Sequence, residues 1–124
     1  VIRRSALVRA PRKFCFPGGG VELGEEESEA LVREMREELQ VDIRPLRLLY
    51  RSVTPWRIEL TWWLVDYSPT AELHPEPSEI ESLHWLTVEE ILALGRELLE
   101  SNHHFLAAWR SGAFEIDGLT RGAN

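Results

Sequence analysis

The sequence predicts an α/β (α+β) domain in which a mixed sheet carries helices on its faces. Several short apolar segments alternate with period two and are bounded by proline and glycine, which is typical of strands. Other segments place apolar residues at helical spacing. Because strands and helices follow one another without regular alternation, we expect a mixed sheet rather than a purely parallel one.

The predicted strands lie mainly in the first two thirds of the chain. A short apolar segment after the N-terminal loop is stopped by Pro17 and the glycines that follow it. Two longer segments in the centre alternate in polarity, and Thr54 and Pro55 between them predict a tight turn. The predicted strands cover residues 1–4, 14–16, 46–53, 56–67 and 83–86.

Three helices are predicted, one after the glycines and two near the C-terminus. The first covers residues 27–39. Thr87 and Glu90 have the spacing of a capping box, which predicts a second helix from there to about residue 100. Ser101 can cap a last helix that runs to residue 111, where Gly112 is a natural stop.

Composition sets the class of protein. The 124 residues suffice for one domain with one core, and 44% hydrophobic residues with five tryptophans indicate a packed domain. No apolar run approaches 18 residues, so we expect neither a membrane span nor a membrane partner. Cys15 is the single cysteine, which excludes an internal disulfide and is compatible with a cytoplasmic protein. A homodimer is the oligomer we expect, since two-fold dimers are the commonest.

The net charge of −7 is unevenly distributed. Residues 1–13 carry five basic side chains and no acidic one, whereas residues 14–42 carry nine acidic and two basic ones. The broad basic face of a nucleic-acid-binding protein is missing, so no nucleic acid polymer is expected as a partner. A basic strip beside an acidic cluster suits an anionic ligand held through a divalent metal ion.

The acidic residues of the first helix fall on one side of it. With about 100° of rotation per residue, Glu34, Glu37 and Glu38 share an arc of about 100°. A separate apolar stripe can face the core; it consists of Leu31, Val32, Met35 and Leu39. Three carboxylates so close together call for a counter-charge, and Mg²⁺ prefers such oxygen ligands together with substrate phosphates. A solvated acidic surface is the competing interpretation, and it stays open at this point.

Residues 19–41 read GGVELGEEESEALVREMREELQV. They match the Nudix box, G-x5-E-x7-R-E-U-x-E-E-x-G-U with U aliphatic, except that Gln40 stands at a glycine position. The chain therefore resembles the Nudix hydrolase family (MutT-like) over nearly its whole length. The resemblance implies an α/β/α sandwich with a central mixed β-sheet, and one such domain over residues 1–124. It also implies a strand before Val1 that the given sequence lacks.

The family's activity is the hydrolysis of a nucleoside diphosphate linked to another group, with Mg²⁺ or Mn²⁺. The expected substrate is a nucleoside triphosphate or related nucleotide; ADP-ribose or another nucleotide sugar, or nucleotide sensing without catalysis, are the alternatives. Pro55 lies near a proline typical of ADP-ribose members. Trp56, Trp62 and Trp63 are candidates for stacking on a base.

Site residues follow from the resemblance position by position. Glu34, Glu37 and Glu38 match the metal-binding carboxylates, with the Gly18 backbone beside them. The residues in catalytic or supporting positions are Arg33, which orients a neighbouring glutamate, Glu25, Gly19, Gly20 and Glu79. Glu34 is the first candidate for the general base and Glu79 the second.

Gln40 is expected to take the left-handed conformation of the glycine it replaces, at a cost on the order of 1 kcal/mol. It removes no ligand.

Overall fold

The computed structural model describes residues 1–119 and Arg121. The strands are β1 (Ile2–Arg4), β2 (Phe14–Cys15), β3 (Ile43–Val53), β4 (Glu59–Tyr67) and β5 (Ile80–Leu83). The helices are α1 (Glu27–Leu39), α2 (Val88–Leu92) and α3 (Glu100–Arg110), with a 3₁₀ turn at Gly95–Glu97 between the last two. Within this part of the chain, no helix is long and apolar enough to cross a membrane.

The three-stranded sheet is covered by helices on both faces. β1 lies between β2 and β5 and is antiparallel to both. Because neighbouring strand residues point to opposite faces, Phe14 and Cys15 enter different halves of the core. Cys15 belongs to the cluster with Met35 and Leu39 of α1, whereas Phe14 packs in the cluster that holds Phe105 of α3. The expected α+β class and its sandwich of helices around a sheet are confirmed.

β3 and β4 form a separate antiparallel ribbon. Tyr50 and Trp62, one from each strand, pack against the core cluster that holds Phe14 and Phe105. All ladders in the described residues are antiparallel. Parallel pairing among them is limited to one isolated bridge between Phe14 and Leu98, so the sheet is less mixed than expected.

The α1 bounds agree with the expected 27–39. At its start, the Glu29 carboxylate accepts a hydrogen bond from the Glu26 backbone at 2.9 Å, which satisfies one of the free amides there. At its end, Gln40 has φ 53° and ψ 40°. The expected left-handed conformation is therefore present, and the Gln40 amide donates to the Arg36 carbonyl.

Two strand predictions are wrong in position. The last strand is Ile80–Leu83 and not 83–86, because β1 pairs Arg4 with Ile80, which is 2% exposed. The connection between the two long strands is also longer than the expected tight turn. Residues 54–58 form it, with Arg57 at φ 62° and the Thr54 amide bonded to the Ile58 carbonyl at 2.9 Å.

The C-terminal helices also differ from expectation. The Thr87–Glu90 capping box is present, with both hydrogen bonds formed. The helix after it ends at Leu92 instead of continuing to about residue 100. Gly95 has φ 56°, and the chain turns so that Leu98 is buried and the next amide bonds to the Phe14 carbonyl. Packing against β2 therefore overrides the helical pattern, and Ser101 is not the cap of α3.

Candidate active site

The candidate site lies where the glycine-containing loop meets the acidic face of α1. Glu34 has a side chain that is 15% exposed, whereas the Glu37 side chain is 58% exposed. Glu38 is half-buried. The three carboxylates thus share a face, as the helical spacing predicts, but they differ in how far they are removed from water.

Arg33 connects the loop to this face. Its guanidinium holds Glu25 through two hydrogen bonds of 2.8 and 3.1 Å. It also donates to Glu34 at 2.9 Å, to Glu37 at 3.1 Å and to the Gly20 carbonyl at 2.8 Å. These contacts raise the pKa of Arg33, chiefly through Glu25, and lower the pKa of Glu25. One side chain therefore fixes the loop and two of the three carboxylates.

Gly19 lies directly against the Glu34 carboxylate. A Cβ atom built on Gly19 would lie 2.2 Å from the Glu34 Cδ and 2.3 and 2.5 Å from its oxygens. No real Cβ approaches that closely, so the position of this carboxylate depends on a residue without a side chain. This close contact explains why residue 19 is a glycine.

Glu38 places a carboxylate oxygen in the interior. Its Oε2 atom is buried and has no hydrogen-bond partner in the part of the chain that the structure describes. Burial, and then the charges of Glu34 and Glu79, raise the pKa of Glu38 to about 7, and the Gly18 backbone and Arg4 oppose this shift. A buried carboxylate with a free oxygen is costly unless something neutralises it.

Glu79 reaches the site from the loop before β5. Its side chain is exposed, and its charge acts on Glu38. Ser5 holds the backbone of this loop: the Ser5 amide bonds to the Glu79 carbonyl at 3.0 Å, and the Ser5 hydroxyl to the Ser78 carbonyl at 2.8 Å. Ser5 is buried, and no sequence motif indicates this contact.

The donor set suits a hard divalent cation. Carboxylate oxygens are the ligands that Mg²⁺ prefers, and the buried Oε2 of Glu38 has no hydrogen-bond partner among the described residues. Across residues 1–119 and Arg121, however, no three acidic, histidine or cysteine side chains are already arranged around one ion position. Glu34 and Glu37 instead form ion pairs with Arg33. The residues fit the metal, provided that the exposed Glu37 carboxylate turns away from Arg33.

Of the tryptophans considered for base stacking, none lies in this cluster. Trp62 stacks on Phe105 in the core, with ring centroids 4.4 Å apart. Trp63 is half-buried in β4, and Trp56 is exposed in the hairpin connection. Trp85 was not among the candidates for stacking, yet it is 70% exposed.

Gly19→Ala should lower activity without unfolding the protein. Gly19 does not have a positive φ, so the backbone accepts alanine, and we expect a change of at most about 0.5 kcal/mol in unfolding free energy. The new methyl group displaces the Glu34 carboxylate, so kcat/KM should fall about tenfold or more, since small misplacements of a reacting group are costly. Steady-state kinetics beside a denaturant titration check both values; parental kinetics would contradict the close contact.

Ser5→Ala should destabilise the fold because the Ser78 carbonyl loses its buried donor. We expect a loss of about 1–2 kcal/mol in unfolding free energy, as for buried hydrogen bonds. Ser111→Ala is the matched control, since its hydroxyl donates to the Ala108 carbonyl at the same 2.8 Å but is exposed. Denaturant titrations of both variants measure the difference, and equal losses would show that Ser5 does not hold the loop.

Comparisons with known proteins place this geometry in context. A family model described as the NUDIX domain matches residues 1–109. The chain is 36% identical over 99 residues to a protein named Nudix hydrolase from Deinococcus radiodurans, a match that covers 68% of this chain and 56% of that protein.

Two further relatives carry more specific names. The chain is 32% identical over 85 residues to the NAD-capped RNA hydrolase NudC of Stutzerimonas stutzeri, covering 68% of this chain and 31% of the relative. It is 33% identical over 69 residues to the 8-oxo-dGTP diphosphatase of Escherichia coli, covering 53% of this chain and 54% of the relative. The chain thus spans from about a third to just over half of the length of these relatives.

Proposed function

The chain belongs to the Nudix family, and from this membership we propose that it hydrolyses a pyrophosphate bond in a nucleoside diphosphate linked to a further group. We propose a nucleoside triphosphate or a related nucleotide as substrate and Mg²⁺ or Mn²⁺ as cofactor. The observation that carries the proposal is the contact between loop and helix: the Glu34 carboxylate lies against Gly19, and Arg33 ties it to Glu25.

Glu34, Glu37 and Glu38 would hold the metal ion, with the Gly18 backbone beside them. The bound ion would supply electrostatic stabilisation of the charge that develops on the pyrophosphate oxygens and would acidify a bound water. Glu38 would contribute its buried Oε2 atom, which makes no hydrogen bond to any residue that the structure describes.

Glu34 is our first candidate for the general base. A base must be held within hydrogen-bonding reach of the attacking water. The Arg33 contact at 2.9 Å and the Gly19 backbone leave the Glu34 side chain little freedom. Glu79 is the second candidate; its side chain is exposed, and its backbone is held through Ser5.

The relatives suggest a second candidate substrate, an NAD cap on RNA, because the name NAD-capped RNA hydrolase belongs to several of them. ADP-ribose or another nucleotide sugar is a third candidate substrate, and nucleotide binding without cleavage is the competing function. We favour a free nucleotide because the chain carries a net charge of −7, which disfavours binding of a polyanionic polymer.

The test is a screen for metal-dependent hydrolysis. The protein is incubated with nucleoside triphosphates, 8-oxo-dGTP, ADP-ribose, NAD and an NAD-capped RNA, with Mg²⁺, with Mn²⁺ and with EDTA, and the products are separated by chromatography. We expect hydrolysis of a nucleotide that EDTA abolishes. If only the NAD-capped RNA is cleaved, the capped RNA and not a free nucleotide is the substrate. If a nucleotide binds without any turnover, the chain is a sensor domain.

A further inference from the structure

A cavity outside the carboxylate cluster opens where β4 and β5 end. Its volume is about 430 Å³, which is within the range of small-ligand pockets. Its walls come from the two strand ends and the loop between them, and backbone polar groups contribute to them beside the side chains; the lining residues are Tyr67, Pro69, Ala71, Leu73, Leu83 and Trp85. Nothing in the hydrolytic chemistry described above uses these residues.

Two aromatic rings dominate this cavity. The Tyr67 and Trp85 rings are nearly parallel, with an interplanar angle of 16° and centroids 6.1 Å apart. Trp85 is 70% exposed, so much of its indole surface meets solvent. Flat aromatic surfaces of this kind stack on planar heterocycles, and every nucleobase presents such a face.

The loop on one side of the cavity is bound to the end of the helix that carries the carboxylates. The loop that supplies Ala71 and Leu73 is fastened to the end of α1, since the His74 amide bonds to the Leu39 carbonyl at 2.9 Å. The Glu76 amide bonds to the Glu38 carbonyl at 2.8 Å. The C-terminal end of α1 therefore holds the loop that follows the lining residues Ala71 and Leu73.

The spacing along β5 suits the length of a nucleotide. Glu79, whose charge acts on Glu38, directly precedes the strand, and Leu83 lines the cavity at its other end. Four residues of extended chain cover about 13 Å. A ribose and its phosphates can bridge such a separation between a base in the cavity and a pyrophosphate at the carboxylates.

We propose that the cavity beside Tyr67 and Trp85 is the subsite for the nucleobase of the substrate. This inference rests on the proposed function, to which it adds the mode of base recognition. The exposed Trp85 indole offers a flat face for stacking, and stacking of this kind tolerates any base. Adenine and guanine nucleotides should therefore bind with similar affinity.

The test measures binding of AMP and GMP without metal, by isothermal titration calorimetry, with ribose 5-phosphate as the probe that lacks a base. The parent should bind both nucleotides more tightly than ribose 5-phosphate. Trp85→Ala should weaken AMP binding about tenfold or more, within the range measured for base–aromatic stacking. Trp85→Phe, which keeps an aromatic face, should retain most of the affinity. Trp56→Ala is the matched control, because Trp56 is 81% exposed but lies in the hairpin connection.

Each outcome bears on the subsite separately from the hydrolase activity. AMP binding that Trp85→Ala leaves unchanged, or that Trp56→Ala weakens equally, overturns the subsite even if the parent hydrolyses nucleotides. If AMP binding depends on Trp85 but the protein hydrolyses no nucleotide, the subsite is supported and only the proposed hydrolysis is contradicted. No preference of the parent for AMP over ribose 5-phosphate overturns the subsite directly.

Discussion

Glu38→Gln should lower kcat/KM at least 100-fold while the protein stays folded. Glutamine keeps the size of the side chain but removes the charge of a buried oxygen that has no hydrogen-bond partner within residues 1–119 and Arg121. A 100-fold loss corresponds to about 2.7 kcal/mol of transition-state stabilisation. Mg²⁺ should also raise the melting temperature of the parent but not of the variant, because a ligand that binds the native state stabilises it. Hydrolysis assays and thermal melts with and without Mg²⁺ measure both effects.

Arg36→Gln is the matched control for this substitution. Arg36 lies on the same helix but pairs with Asp42 at 2.6 Å, and both side chains are exposed. We expect parental activity and a parental response to Mg²⁺. If Glu38→Gln behaved like this control, the acidic arc of α1 would be only a solvated surface, and the proposed hydrolysis would fail with it.

The same variant should show a pH-dependent gain in stability without metal. Burial raises the pKa of Glu38 to about 7, above its ordinary value of 4.5. Between these values the folded parent binds more protons at this group than the unfolded chain, so the parent loses stability as pH rises. Glutamine does not ionise and escapes this loss. In EDTA, the melting temperature of Glu38→Gln minus that of the parent should therefore be larger at pH 8 than at pH 5. The same difference at both pH values would contradict a raised pKa at Glu38.

Arg33→Lys should lower kcat/KM about 10- to 100-fold, as for residues that orient metal ligands. Lysine keeps the positive charge but cannot grip Glu25 with two parallel bonds while it also donates to Glu34. The loop at Gly20 also loses its bond to the guanidinium, so the melting temperature should fall. Kinetics and melts of the purified variant check the two effects.

Arg51→Lys provides the comparison. Arg51 also makes two hydrogen bonds to a glutamate of α1, Glu27, both at 3.0 Å. That pair is more exposed than the pair of Arg33 and Glu25, and exposed ion pairs contribute little. We expect near-parental stability and activity. An equal effect of the two substitutions would mean that loss of any bidentate pair on α1 matters, rather than the position of Arg33.

Features that depend on neighbouring residues could be predicted well. Helix α1 has the predicted bounds because its apolar periodicity and its end depend only on residues within the helix and next to it. The left-handed conformation of Gln40 and the Thr87–Glu90 capping box are local for the same reason. The shared arc of Glu34, Glu37 and Glu38 also follows from helical geometry alone.

Features that depend on residues far apart in the sequence could not be predicted. The position of β5 follows from its pairing with β1, and the end of α2 follows from the burial of Leu98 beside Phe14, about 80 residues away in sequence. Local propensity does not encode such pairings, so the predicted bounds of these elements were wrong.

The sequence by itself determined which carboxylates share one face of α1, because a regular helix fixes the angle between side chains. Only the tertiary structure decided how each carboxylate differs from the others. Arg33 pairs with Glu34 and Glu37, the surrounding chain buries Glu38, and Ser5 brings the Glu79 loop beside it. Burial and charge arise from segments that meet only after folding, so the pKa of about 7 at Glu38 is a property of the fold.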